Sequence, residues 1–209
     1  MLRERQYVKR LDDEALVAAF LDRNDEHAFA QLVHRHQRRI YSFLMGMVGD
    51  ASIANDLFQE TFIRVVQAMR NERAGYERQG RWLGWVLRIA RNTTLDHLRS
   101  RKKWTDVDAN RDDQEESVWD RLPDELPTAD ASLFTAQQRA VLDTCIHALP
   151  DEQREVLLLR EEGDLTFREI ADITNVSINT ALGRMRYALI NLRKMMSANL
   201  ASELNDFTE

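Results

Sequence analysis

The sequence predicts an all-α fold: two small helical domains joined by a flexible acidic linker, the second domain a helix-turn-helix. Three observations predict it. Leu, Ala, Arg and Glu dominate a chain of 209 residues that carries only 3 prolines and 7 glycines, a composition that favours helix. Apolar residues recur at helical spacing in several stretches, and no strand-period alternation persists anywhere. Charge is also divided by position. From Val86 to Lys103 the basic residues Arg88, Arg91, Arg99, Arg101, Lys102 and Lys103 face Asp96 alone, whereas between Trp104 and Asp130 ten acidic residues face only Arg111 and Arg121.

Composition bounds the rest. At 44% hydrophobic and 31% charged residues, the chain is long enough to bury a core. Its formal net charge of -6 means that any contact with nucleic acid must come from local patches. The apolar run Ala15 to Leu21 follows Asp12, Asp13 and Glu14, the wrong flank for a signal peptide, and is too short to span a bilayer, so a cytoplasmic protein is expected. The single Cys145 cannot form an internal disulfide, and His34 and His36 point to different helix faces. No metal, cofactor or redox role is expected.

The first domain is placed at residues 1–103. Phe29, Leu32, Val33, His36, Ile40, Phe43, Leu44 and Met47 form a helical stripe that ends near Gly49. A second stripe, Ile53, Leu57, Phe58, Phe62, Val65, Val66 and Met69, leaves Asp56, Gln59, Glu60 and Arg64 pointing mostly away from the core. Residues 70–80, "RNERAGYERQG", carry two glycines and read as a loop. A third helix opens at "RWLGWVLRIARNTTLDHLRSRKK", residues 81–103. The acidic stretch 104–132, with Pro123 and Pro127 and no apolar stripe, reads as the linker.

The second domain is placed at 133–196, followed by a tail over 197–209. Pro150 stands at a helix start, with Asp151 and Glu152 in the first turn where the helix dipole favours them. Thr166 and Glu169 have the spacing of a capping box. Asn175 suits a left-handed turn position and Ser177 can cap the helix that follows. That final helix projects its apolar stripe as Ile178, Ala181, Leu182, Met185, Leu189 and Leu192. Asn179, Thr180, Gly183 and Tyr187 fall on the opposite face, flanked by Arg184 and Arg186, and no acidic residue occurs from Ile178 to Met196.

Small polar residues near a helix N-terminus, flanked by arginines, suit major-groove reading: short side chains reach base edges while Arg binds phosphate or guanine. The basic-aromatic helix makes a different demand. Duplex DNA hides its base faces, so Trp82 and Trp85 would serve mainly against unstacked bases. Tryptophans at helical spacing also serve as core, and both readings stand.

These residues carry a family resemblance. "ANDLFQETFIRVVQAM", then "RWLGWVLRIARNTTLDHLRSRKK", then "ALPDEQREVLLLREEGDLTFREIADITNVSINTALGRMRYALINLRK" resemble, in order, successive regions of bacterial sigma factors of the extracytoplasmic-function type. The resemblance implies a promoter-specificity subunit without catalysis of its own. It implies that Asp56, Gln59, Glu60 and Arg64 dock on the clamp helices of the RNA polymerase beta-prime subunit, with the beta flap as a further contact. It implies minus-ten promoter contacts from Tyr76, Trp82, Trp85, Arg88, Arg91, Asn92, Asp96 and Arg99, the loop around Gly75 and Tyr76 matching a position that captures a flipped base. Duplex minus-thirty-five contacts are implied for Arg168, Ser177, Asn179, Thr180, Gly183, Arg184, Arg186 and Tyr187. The implied partners are core RNA polymerase, promoter DNA in duplex and single-stranded form, and an anti-sigma factor that could hold the chain at the membrane; no small-molecule substrate is implied. In such proteins the linker threads toward the active-site cleft and the RNA exit path.

Two positions depart from the pattern. Many members carry a basic residue where this chain has Leu182 and a serine where it has Gly183. A mid-helix glycine costs about 1 kcal/mol relative to alanine, so Gly183 is expected to permit a close backbone approach. Other classes were weighed. A two-domain helix-turn-helix regulator would bind duplex DNA without polymerase; an enzyme lacks its signature here, with no glycine-rich phosphate loop, nucleophile elbow or zinc-deaminase motif; a structural adaptor would not need the basic clusters.

Overall fold

A computed structural model describes residues 12–70, 81–105 and 136–206. The described residues form eight helices and no strand: α1 (Asp13–Arg23), α2 (Glu26–Val48), α3 (Ala51–Arg70), α4 (Trp82–Thr105), α5 (Ala136–His147), α6 (Asp151–Gly163), α7 (Phe167–Thr174) and α8 (Ile178–Asp206). The all-α class holds. The loop 71–80 with Tyr76, and the acidic linker from residue 106 on, lie outside the described residues.

Local chemistry sets the boundaries. Asp12 caps α1 by accepting from the Ala15 N–H at 2.8 Å, Asp25 caps α2 through the N–H groups of His27 and Ala28, and Asp50 accepts from Ile53 at 2.9 Å. Each short carboxylate satisfies donors that the first turn leaves orphaned. Gly49 ends α2 at φ 70°, a left-handed conformation that glycine adopts without a Cβ clash. α1 is fastened to α2 by Asp13, whose carboxylate accepts from Arg35 at 2.6 Å and meets His36 Nε2 at 2.7 Å. The hydrogen bond to His36, ahead of the pairing with Arg35, holds this carboxyl below the ordinary aspartate value.

The first four helices bury Leu16, Leu32, Ile40, Phe43, Leu44 and Val65 completely or nearly so. That core does not stop at the first domain. α6 lies against α2 and α4 as well as against α8, and Val156, Leu158, Leu159, Leu165 and Ile170 belong to the same buried cluster as Phe43 and Trp82. Leu157, between Val156 and Leu158 in the chain, turns to a second cluster with Cys145, Leu149, Ala188 and Leu192. α6 is therefore buried all round from Arg154 to Leu159, as a helix must be when two layers cover it. Close approach has a specific cause at Gly46, where a Cβ would stand 2.7 Å from Leu158 Cδ2; glycine lets the leucine seat against the α2 backbone. The second half is thus docked on the first, a contact the two-domain reading of the sequence did not contain.

Candidate nucleic-acid interface

The helix-turn-helix is built as its residues dictate. Thr166 Oγ1 accepts from the Glu169 N–H while Glu169 returns to the Thr166 N–H at 2.7 Å, completing the capping box. α7 ends at Asn175 in the left-handed conformation, φ 57°. Ser177 Oγ then accepts from the Thr180 N–H at 3.0 Å and lies 2.8 Å from the Thr180 hydroxyl. The turn is fixed by caps at both ends.

α8 departs from the projected stripe at two positions. Ala181, Ala188 and Leu192 are its buried apolar residues and Met185 and Leu189 pack beside them, so the projected stripe holds except at Leu182 and Ile178, which stand 43% and 40% exposed. Ala181 joins the cluster that holds Ile170 of α7, and Ala188 the one that holds Leu157 of α6. Arg168, Ser177, Asn179, Arg186 and Tyr187 are exposed as a groove-facing surface requires, and Arg184 is half-buried. Thr180 and Gly183, also expected on this surface, are less exposed than most of the rest. Thr180 is half-buried with its hydroxyl engaged by Ser177, and Gly183 is buried. α8 also continues to Asp206, past the expected domain end at 196.

On α4 the basic-aromatic surface divides. Arg88, Asn92, Asp96 and Arg99 are exposed. Trp82 is not: at 1% exposure it sits in the core with its ring 5.4 Å from that of His36, which is the packing half of the two readings its spacing allowed. Trp85 is half-buried against the same cluster. Arg91 is turned inward, its Nε donating to Glu155 Oε1 at 2.5 Å and its Nη2 lying 3.4 Å from Oε2. Arg91 and Glu155 side chains retain 15% and 6% exposure, so in this arrangement the Arg91 charge is spent on α6 rather than offered to a phosphate. Arg81 joins the halves a second time through the Asp164 carbonyl at 2.7 Å.

The third surface lies on α3. Asp56 and Gln59 are exposed, and Glu60 accepts from Arg64 at 2.8 Å while Arg64 Nη1 reaches Asp96 on α4 at 3.4 Å. Both carboxylates, Glu60 foremost, raise the Arg64 value above its ordinary one. Amid these polar groups stands Ile63, 53% exposed, which the stripe-based reading passed over; its place between Gln59 and Gln67, one turn from each on the exposed side, was the available signal. Among the described residues no group of three or more His, Cys, Asp or Glu could hold a metal, and no helix is long and apolar enough to cross a membrane.

Two helical units, one with a doubly capped helix-turn-helix leading into a helix without acidic residues over Ile178 to Met196, define a DNA-binding protein. Residues 32–104 match the Sigma-70 region 2 family and residues 139–187 the Sigma-70, region 4 family. The chain is 32% identical over 191 residues to the ECF RNA polymerase sigma factor RpoE of Cereibacter sphaeroides, covering 90% of this chain and 97% of that protein. It is 29% identical over 174 residues to the RNA polymerase sigma-H factor of Pseudomonas aeruginosa, covering 83% and 88%. In fold it is similar to the sigma factor RpoE solved with the anti-sigma factor NepR from Bartonella quintana, with TM-score 0.61, 20% identity and coverage of 81% and 96%. It is likewise similar to CnrH in complex with the cytosolic domain of CnrY, with TM-score 0.62, 19% identity and coverage of 90% and 99%. The chain belongs to the extracytoplasmic-function (ECF) family of RNA polymerase sigma factors. As such it is a promoter-specificity subunit whose partners are core RNA polymerase and promoter DNA.

Proposed function

We propose that this sigma factor divides its work among three surfaces and keeps two of them in check through the docking of its second half on its first. α3 presents Asp56, Gln59, Glu60 and Arg64 to the beta-prime clamp helices, with Ile63 as the apolar centre of the contact. α4, through Arg88, Arg91, Asn92 and Arg99, holds the minus-ten element as its strands part. The first turns of α8 enter the major groove at the minus-thirty-five element. The chain catalyses nothing; binding energy offsets the few kcal/mol per step that unstacking costs.

The observation that carries the regulatory part is the Arg91–Glu155 pair within a continuous core. Elements about 25 base pairs apart at about 3.4 Å per step lie on the order of 80 Å from one another along a duplex. A compact chain of this length has a radius of gyration of roughly 17 Å. The docked arrangement cannot grip both elements, so α6 must leave α2 and α4 before a promoter is bound. An anti-sigma factor that seals this closed form would keep the chain inactive in the cytoplasm or at the membrane; the likeness to the sigma factor RpoE solved with the anti-sigma factor NepR supports that reading.

The test is run-off transcription with the purified chain, core polymerase and a library of promoter fragments. Transcripts that depend on the chain, and weaken on Asp56→Ala or Arg88→Ala, are the expected result. Duplex binding by the chain alone, with transcription indifferent to it, would favour the conventional two-domain regulator instead.

A further inference from the structure

The apolar residues at the start of α8 have no place in a surface built only for phosphates and polar base edges. Ile178 and Leu182 are separated by one turn and stand 40% and 43% exposed, and Leu182 shares its face with Asn179 and Arg186, both exposed. A lone exposed leucine needs no explanation. Two such residues in the first turns of a capped helix, enclosed by an amide and a guanidinium, form an apolar strip inside a polar reading head. The surrounding charge selects the occupant: Arg184, Arg186, Arg193 and Lys194 are uncompensated by any acidic residue from Ile178 to Met196, which fits a polyanion. In the major groove of duplex DNA the apolar group on offer is the C5-methyl of thymine.

We propose that Leu182, supported by Ile178, reads the methyl group of a thymine in the upstream promoter element and so sets this chain's promoter preference at that position. The inference rests on the assignment of α8 to the duplex element. A basic residue in the same place would bind phosphate or guanine; leucine withdraws that contact and substitutes an apolar one. Asn179 and Arg186, on the same face, read or anchor the neighbouring bases, so Leu182 sets the preference at one position while its neighbours sustain binding.

The experiment uses holoenzyme reconstituted from the full chain and core polymerase. The upstream element is selected from randomised duplex fragments, and each thymine in it is then replaced by uracil, which removes the methyl group alone. At one thymine the replacement weakens binding about fourfold, the effect of exposing one buried methyl. Leu182→Ala binds the thymine and uracil duplexes equally while keeping its discrimination elsewhere, and Leu182→Arg moves the preference at that position to guanine. Indifference of the unmodified chain to every replacement overturns the proposal, as does a thymine–uracil difference that survives Leu182→Ala. A Leu182→Ala variant that loses affinity for core polymerase, with the thymine–uracil difference intact, overturns it in favour of a protein contact. Asn179→Ala and Arg186→Ala separate the two levels: if they too leave selection of the upstream element untouched, the assignment of α8 itself is what fails.

Discussion

The Arg91 guanidinium on α4 is bonded to the Glu155 carboxylate on α6, at 2.5 Å from Nε to Oε1, so a basic residue of the first half of the chain is held by an acid of the second. With 6% of its side chain exposed, Glu155 has no solvent to fall back on. Removing one partner of a buried pair costs about 3–5 kcal/mol when the other charge stays buried, but here Arg91 can regain water if α6 lifts away. Glu155→Gln is therefore expected to shift the chain toward an extended form, seen as a larger radius of gyration in X-ray scattering and faster association with promoter fragments in the presence of core polymerase. A variant as compact as the parent would show that the pair does not hold the halves together.

Gly46 and Leu158 test the same interface through packing. Leu158→Ala empties a space against α2 and is expected to cost roughly 2–5 kcal/mol in denaturant unfolding. Gly46→Ala forces its new methyl into Leu158, at 2.7 Å from Cδ2, and is expected to cost roughly 1–3 kcal/mol. Because the two residues share one space, the double variant should lose clearly less than the sum of the singles. Strict additivity would place the alanine's strain somewhere other than Leu158.

Ile63 is expected to matter for assembly and not for folding. At 53% exposure, Ile63→Ala should leave stability within about 0.5 kcal/mol of the parent, while affinity for core polymerase falls by roughly tenfold, the scale of an apolar interface residue worth more than about 1 kcal/mol. Paired thermal melts and polymerase titrations give both numbers. Unchanged affinity would remove Ile63 from the docking surface.

His147 gives the closed form a pH dependence. Its ring lies near Gly49, where a Cβ would be 3.3 Å from Cε1, and burial, followed by the charge of Arg154, lowers its value from 6.5, with Asp143 opposing weakly. The folded state therefore binds a proton less readily than the unfolded chain. Stability from this site is complete above about pH 6.5 and is lost as the pH falls below it. Unfolding measured from pH 8 to pH 5.5 should show this slope in the parent and a flatter one in His147→Asn. Equal slopes in the two chains would assign the dependence to other groups.

The amino-acid sequence by itself marked α2, α3, α4, α6, α7 and α8, the caps around α7 and the helix-turn-helix, but neither α1 nor α5. Those features depend on neighbours within a turn or two: Thr166 with Glu169, Asn175 at the turn, Ser177 before α8, Gly49 after α2. Local charge likewise picked out the basic run on α4 and the acid-free α8. Tertiary structure alone decided what that charge faces and which apolar residues are covered. Arg91 reads as free until Glu155, sixty-four positions along the chain, is folded against it. Leu182 reads as core until the packed α8 leaves it 43% exposed and buries Ala188 instead. The run from Val156 to Leu159 is apolar on every side, yet nothing within it says that α8 covers one side and α2 another. Periodicity reports how wide a buried surface is, and only the packed chain supplies the surface it is buried against.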